Sequence, residues 1–332
     1  MLSRRGILVL AGAAVVPSGL LHAQLPAAAN AKLRRICGAT ITSPNLGVVE
    51  DWYAGALGYR VTQRTTVSPQ LAVSWGVPAM AGRAMISMVP ENGGDVPIRA
   101  VAIDPIAPAK PLTAWGWSAI EIAVRDLDAL YAKLRSGWLK APIEVLGEPH
   151  PSHALRPDSP INAMQVRGPA GEVLYLTANT GDRAASNHPE PRSQVDRPFI
   201  AVLAGPDFSA LKSFYMGRFA LADQGDQALP VPSRAKAHGL PEDHVYKLGV
   251  VVAAERGNKI ELDEFPRGAT GPQPRKDGQL PPGTAIMSFS VAGFDGLDLP
   301  FFSPPAAVYG STRAATFRGP AGELTELTAD RA

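Results

Sequence analysis

The sequence predicts an α+β fold of four βαβββ modules that pair into two curved-sheet domains. Three observations carry this. "RGPAGE" at 167–172 recurs unchanged at 318–323, each time leading into a strand-like run. "DWYAGALGYRV" at 51–61 is echoed by "SFYMGRFALAD" at 213–223. Four stretches also share one opening: an apolar strand, a polar capping residue, then apolar residues at helical spacing.

In the first module "RRICGATIT" is the strand. Ser43 or Asn45 caps a helix whose apolar face includes Leu46, Val49 and Trp52. In the second, "WSAIEIAV" precedes Asp126 and a helix with Leu127, Leu130, Tyr131 and Leu134 inside. In the third, "RPFIAVLAG" precedes Asp207 and a helix carrying Phe208, Leu211, Phe214 and Tyr215. The fourth, "AIMSFSVAGFDGLDL", has a short or vestigial helix. Later strands follow at "YRVTQRTTV", "GRAMISMVP" and "IRAVAID", and at "VYKLGVVVAAE" and "NKIELDEF". A single βαβββ unit cannot bury both faces of its sheet, so the units must pair. The polar segment 181–197 reads as a linker between a first domain, 33–180, and a second, 198–329.

The chain has 332 residues, 45% apolar and 19% charged, with 32 glycines and 32 prolines, which favours many turns and few long helices. Residues 1–23 read as a cleavable export leader of the twin-arginine type. Arg4 and Arg5 precede an apolar run, Ile7–Val16, too short to span a bilayer. Without that leader, acidic and basic residues balance, so nucleic acid is not an expected partner, and no later run is long enough for a membrane span. The expected location is periplasmic or secreted. The one cysteine, Cys37, lies in a strand and reads as a core thiol rather than a nucleophile.

The helix ending in "WYAGALGY", the strand and cap of "GWSAIEIAVRDLDALYAKL", and the closing "RGPAGE" strands together resemble the vicinal oxygen chelate superfamily, the glyoxalase, bleomycin-resistance and extradiol dioxygenase group. The resemblance covers Arg34 to Thr328. It implies glyoxalase-like domains, each closing around a cup for a small molecule. It also implies one divalent metal per cup, held by His, Glu or Gln from the first and last strands of two paired modules. Counting back from the helix caps places the first-strand positions at Gly38, Ala119, Ile200 and Ile286, none of which can bind a metal through its side chain. The last-strand positions fall at Tyr175, Glu261 and Glu326, and in the first module near Arg99 to Val101. Glu261 and Glu326 are therefore the candidate metal ligands. Whether a metal is bound is left open, with none the favoured reading, because two carboxylates alone hold an ion weakly.

Strand alternation puts Ala119, Glu121 and Ala123 on the cup face and Ile120, Ile122 and Val124 on the helix face. Glu121 and Tyr175 are the candidate catalytic pair: burial would raise the carboxyl pKa into the range of a general base, and a phenol donates a hydrogen bond. Glu121 paired to an arginine or exposed on a sheet edge is the competing reading. Thr40 and Ser288 are its counterparts in the first and fourth modules. Arg99, Trp117, Thr40, Ser288, His153 and His238 complete the candidate ligand contacts, with both histidines placed on loops. The expected function is an exported isomerase, lyase or epimerase acting on a small carbonyl or aromatic compound. A non-catalytic binder of the bleomycin-resistance type is the alternative, and a homodimer is compatible with either.

Overall fold

Asn45, Asp126 and Asp207 each accept a hydrogen bond from the backbone N–H three residues on, at 3.2, 2.9 and 2.9 Å. These caps start the helices where the sequence places them. The computed structural model describes residues 30–136, 143–151, 160–182 and 187–329. The export leader and His153 lie outside the described residues.

The first module runs β1 (Leu33–Ser43), α1 (Leu46–Trp52) continued by a π-helical turn over Tyr53–Leu57, β2 (Tyr59–Thr66), α2 (Pro69–Ser74), β3 (Ala84–Pro90) and β4 (Ile98–Ala102). The second runs β5 (Ala114–Val124), α3 (Leu127–Arg135), β6 (Glu144–Pro151), β7 (Ile161–Arg167) and β8 (Val173–Asn179). The third runs β9 (Val195–Gly205), α4 (Phe208–Phe219), β10 (Ala222–Pro230), α5 (Pro232–His238), β11 (Val245–Val252) and β12 (Lys259–Glu264). A two-residue strand, β13 (Gly271–Pro272), leads to the fourth module: β14 (Gly283–Val291), β15 (Ala306–Tyr309), β16 (Thr312–Arg318) and β17 (Leu324–Ala329). No helix follows β14 directly, as expected for the vestigial fourth helix.

The modules do not pair in sequence order. One sheet runs β15-β16-β17-β14-β1-β4-β3-β2 and joins the first module to the fourth. The other runs β10-β11-β12-β9-β5-β8-β7-β6 and joins the second to the third. The expected domains, 33–180 and 198–329, therefore each contribute half of both sheets. The chain crosses between sheets at 103–113 and 265–282. Both segments are proline-bearing, and proline lacks the N–H that would continue a ladder. The segment 181–197 instead leads from β8 to β9 within one sheet, and its last residues already belong to β9.

The helix-side faces of both sheets and helices α1, α3 and α4 share one apolar core, which includes Ile41, Tyr53, Ile120, Ile122, Leu211 and Phe289. Each cup holds a smaller cluster of its own. Ala119 and Ala123 belong to the cup of modules two and three, and Ile120, Ile122 and Val124 to the helix-side core, as strand alternation predicts.

Candidate functional site

Two short helices absent from the sequence reading occupy the cups. α2 starts with Ser68 as cap and Pro69 in its first turn, and brings Leu71 and Trp75 into the cup of modules one and four. α5 starts with Pro232, ends at Gly239 in the left-handed conformation, and buries Arg234 and His238 at the other cup. His238 is therefore helical, not on a loop. Its Nε2 lies 2.7 Å from the Leu112 carbonyl and its Nδ1 3.0 Å from the Tyr246 hydroxyl. With both ring nitrogens engaged, it pins α5 and does not reach out to a ligand. Burial holds it neutral by lowering its pKa.

In the cup of modules one and four, Thr40 is level with Arg99 across β1 and β4, and Ser288 with Glu326 across β14 and β17. The arginine guanidinium lies between them. Arg99 Nη2 donates to Ser288 Oγ at 2.5 Å and to Glu326 Oε2 at 2.7 Å, and Nη1 donates to the Tyr309 hydroxyl. Glu326 also accepts from Trp75 Nε1 at 2.9 Å, Tyr309 at 2.8 Å and Ser288 at 2.7 Å. It is fully buried with both oxygens engaged. The last-strand position of the first module, open in the sequence, is thus Arg99.

The cup of modules two and three is built from the same positions, and its ion pair is less completely bonded than that of Arg99 and Glu326, although Arg99 Nε and Thr40 Oγ1 are also buried without partners. Glu121 is level with Tyr175 across β5 and β8, and Val202 with Glu261 across β9 and β12. In each module the first-strand residue level with the last-strand position is thus Thr40, Glu121, Val202 or Ser288. The count back from the caps, which gave Gly38, Ala119, Ile200 and Ile286, ran two residues too far. Asp263 accepts from Arg234 Nη2 at 2.5 Å, both side chains being buried. Arg234 Nε and Nη1, Asp263 Oδ1 and Gln165 Oε1 are buried without hydrogen-bond partners. The Tyr175 hydroxyl lies beside Arg234, and Thr177 beside Glu121.

Burial dominates the electrostatics of this cup. It pushes the Glu121 carboxyl up to about 7, against the pull of Thr177 and Lys259. Glu261 is raised well above the usual carboxylate range by burial and by Asp263 and Glu121. Lys259 is lowered by burial, and the Tyr175 phenol is raised, so it stays a donor.

Trp117 and the pair Glu261 and Glu326 sit otherwise than the sequence predicts. Trp117 does not line a cup: its Nε1 donates to the Leu324 carbonyl at 2.8 Å, and it packs in the helix-side core against Tyr215 and Phe289. Glu261 and Glu326 lie on different sheets and cannot share an ion. Neither cup fits the metal that the fold family implies. Glu326 is saturated by four donors, one of them a guanidinium. The carboxylates of the other cup are interleaved with Arg234 and Lys259. Among the described residues no group of three or more His, Cys, Asp or Glu side chains is placed to hold a metal ion.

Arg234 is not among the sequence candidates, and the stretch that holds His238, "AKAHGLPEDHVYKL", reads as a loop in the sequence. Proline in the first turn and glycine just past the last were the signals that mark α5.

With this geometry the chain has the vicinal oxygen chelate fold, in its four-module form. Glyoxalase I from Zea mays is similar over 89% of this chain and 92% of its own, with a TM-score of 0.57 at 15% identity. A putative dioxygenase from Bacillus subtilis is similar over 91% of this chain and 87% of its own, with a TM-score of 0.58 at 14% identity. No protein-family model and no curated protein matches the sequence.

Proposed function

We propose that the cup of modules two and three is a small-molecule site whose residues carry out proton transfer next to a carbonyl group. One observation carries this reading. Glu121 and Tyr175 sit side by side on the cup face, among buried polar atoms of Arg234, Asp263 and Gln165 that lack partners. Orphaned buried donors and acceptors cost stability, and a bound ligand's oxygens would satisfy them. Glu121, with its pKa near 7, is the base that takes the proton from carbon. Arg234 and the Tyr175 hydroxyl are the donors to the oxygen on which negative charge develops. Return of the proton to another carbon, or to the opposite face, makes the reaction an isomerisation or epimerisation. The leader read in residues 1–23 supports export of the folded chain.

The test is solvent deuterium exchange, followed by NMR, at carbons next to the carbonyl in a panel of small hydroxy- and oxo-carbonyl compounds. The expected result is exchange with at least one class of compound. Glu121→Gln should lose about 100-fold or more in rate while keeping its fold. Exchange unchanged in both Glu121→Gln and Tyr175→Phe would remove the assignment.

The second reading is sequestration without turnover. It is favoured by α5, which covers the cup and would enclose a ligand. Saturable binding with no exchange would select it.

A further inference from the structure

The cup of modules one and four points to a role that does not depend on the reading of the other cup. We infer that the guanidinium of Arg99 is a built-in cation standing where this fold otherwise places a divalent ion, and that this cup is a closed structural half rather than a second ligand site.

The positions are the argument. Ligands in this fold come from first and last strands of paired modules, and here those strands present Thr40, Arg99, Ser288 and Glu326. One of the four is itself a cation. Its Nη2 bonds both Ser288 and Glu326, so it sits at the point where these side chains converge. Gly38, two residues before Thr40, lies against it: a β-carbon there would sit 3.4 Å from Arg99 Nη2, at van der Waals contact. A planar fork of donors meets a carboxylate and a hydroxyl as an ion would, while remaining covalently tethered.

The rest of the cup is consistent with a closed half. Trp75 and Tyr309 donate to the second oxygen of Glu326, and the Arg99 guanidinium also lies over the Tyr309 ring, 4.8 Å from its centroid. Leu71, Met80, Met85, Val101, Ile286 and Leu324 fill the remaining space. An added divalent ion would meet a positive charge already in place and a carboxylate with no free oxygen. The other cup differs in degree: its arginine comes from α5, bonds one carboxylate oxygen and leaves two nitrogens without partners, whereas Arg99 leaves only Nε and bonds a carboxylate, a serine and a tyrosine.

The test is thermal unfolding of the full chain with Arg99→Ala, alone and with methylguanidinium, Mn2+ or Ni2+ as the added cation. Removing one partner of a buried ion pair leaves the other uncompensated, so Tm should fall by roughly 10 °C. Methylguanidinium or one of the metal ions should recover part of that loss. The same additions should leave the wild type and the double variant Arg99→Ala/Glu326→Gln unmoved. Isothermal titration should show one divalent site gained in Arg99→Ala that the double variant lacks. If Arg99→Ala does not fold, Arg99→Met/Glu326→Gln decides: a folded double variant upholds charge compensation, and an unfolded one shows that packing alone was lost. A wild-type Tm in Arg99→Ala, or no recovery with any of the three cations, overturns the inference.

Discussion

The Tyr53 hydroxyl donates to Glu172 Oε1 at 2.9 Å, and Tyr215 makes the same bond to Glu323 at 2.9 Å. The two repeated motifs of the sequence are therefore bonded to each other. The tyrosine of each "FY/WY" helix segment reaches the glutamate of an "RGPAGE" turn. In both cases the partners belong to modules of different sheets, one from modules one and four and one from modules two and three. Each glutamate also folds back to accept from its own turn, from Ala170 N at 2.9 Å and Ala321 N at 2.8 Å.

Tyr53→Phe should therefore destabilise the protein by about 1–3 kcal/mol, because it leaves Glu172 Oε1 buried without its donor. Tyr215→Phe should cost less, since Tyr215 shares its hydroxyl with Thr325 at 3.1 Å and some bonding can rearrange around Glu323. Denaturant unfolding of the two variants measures the difference.

The turn glycines are a second testable element. Gly171 and Gly322 have φ of +87° and +84°, which favours glycine. Gly168 and Gly319 serve a different need: a β-carbon at either would collide with the carboxylate of Glu172 or Glu323. Gly168→Ala should destabilise by displacing Glu172, and the loss should be markedly smaller in a Glu172→Ala background. Additive losses in that double-mutant cycle would contradict the arrangement.

Burial pushes Glu172 and Glu323 each up to about 7 from 4.5, partly opposed by their tyrosine and turn donors. A raised carboxyl pKa means the folded state binds the proton more tightly than the unfolded state. The resulting stabilisation is fully present below about pH 4.5 and is lost as pH rises through about 7. Glutamine has no such dependence. The stability of the wild type relative to Glu172→Gln should therefore fall between pH 4.5 and 7 and level off above. Unfolding curves at several pH values check the sign.

Cys37 should be unreactive in the folded protein. The residue is half-buried, but its sulfur lies 3.2 Å from Thr328 Oγ1, and burial around the thiol pushes it up to about 12. Labelling with iodoacetamide at pH 8 should be slow in native protein and rapid in denaturant. Rapid native labelling would show an exposed thiolate.

Much of the fold was legible because it depends on local patterns. The caps Asn45, Asp126 and Asp207, the alternation that aims Glu121 at a cup, and the Gly-Pro-Ala-Gly turns are each set by residues close in sequence. So were the facing positions of Tyr175 and Glu326. α2 and α5 were missed although Ser68, Pro69, Pro232 and Gly239 mark their ends, because six or seven residues are too few for apolar periodicity to register.

The repeated module, its capped helices and the strand faces that line a cup follow from residues near one another in the chain. Which modules share a sheet is set by long-range packing alone. The same strand edges could pair one with two or one with four, and no local pattern distinguishes these partners. That choice separated Glu261 from Glu326, placed Arg99 against Glu326 and joined Tyr53 to Glu172. Each of these contacts is between residues distant in sequence, held by burial of charges and donors that a linear reading sees only as separate polar residues.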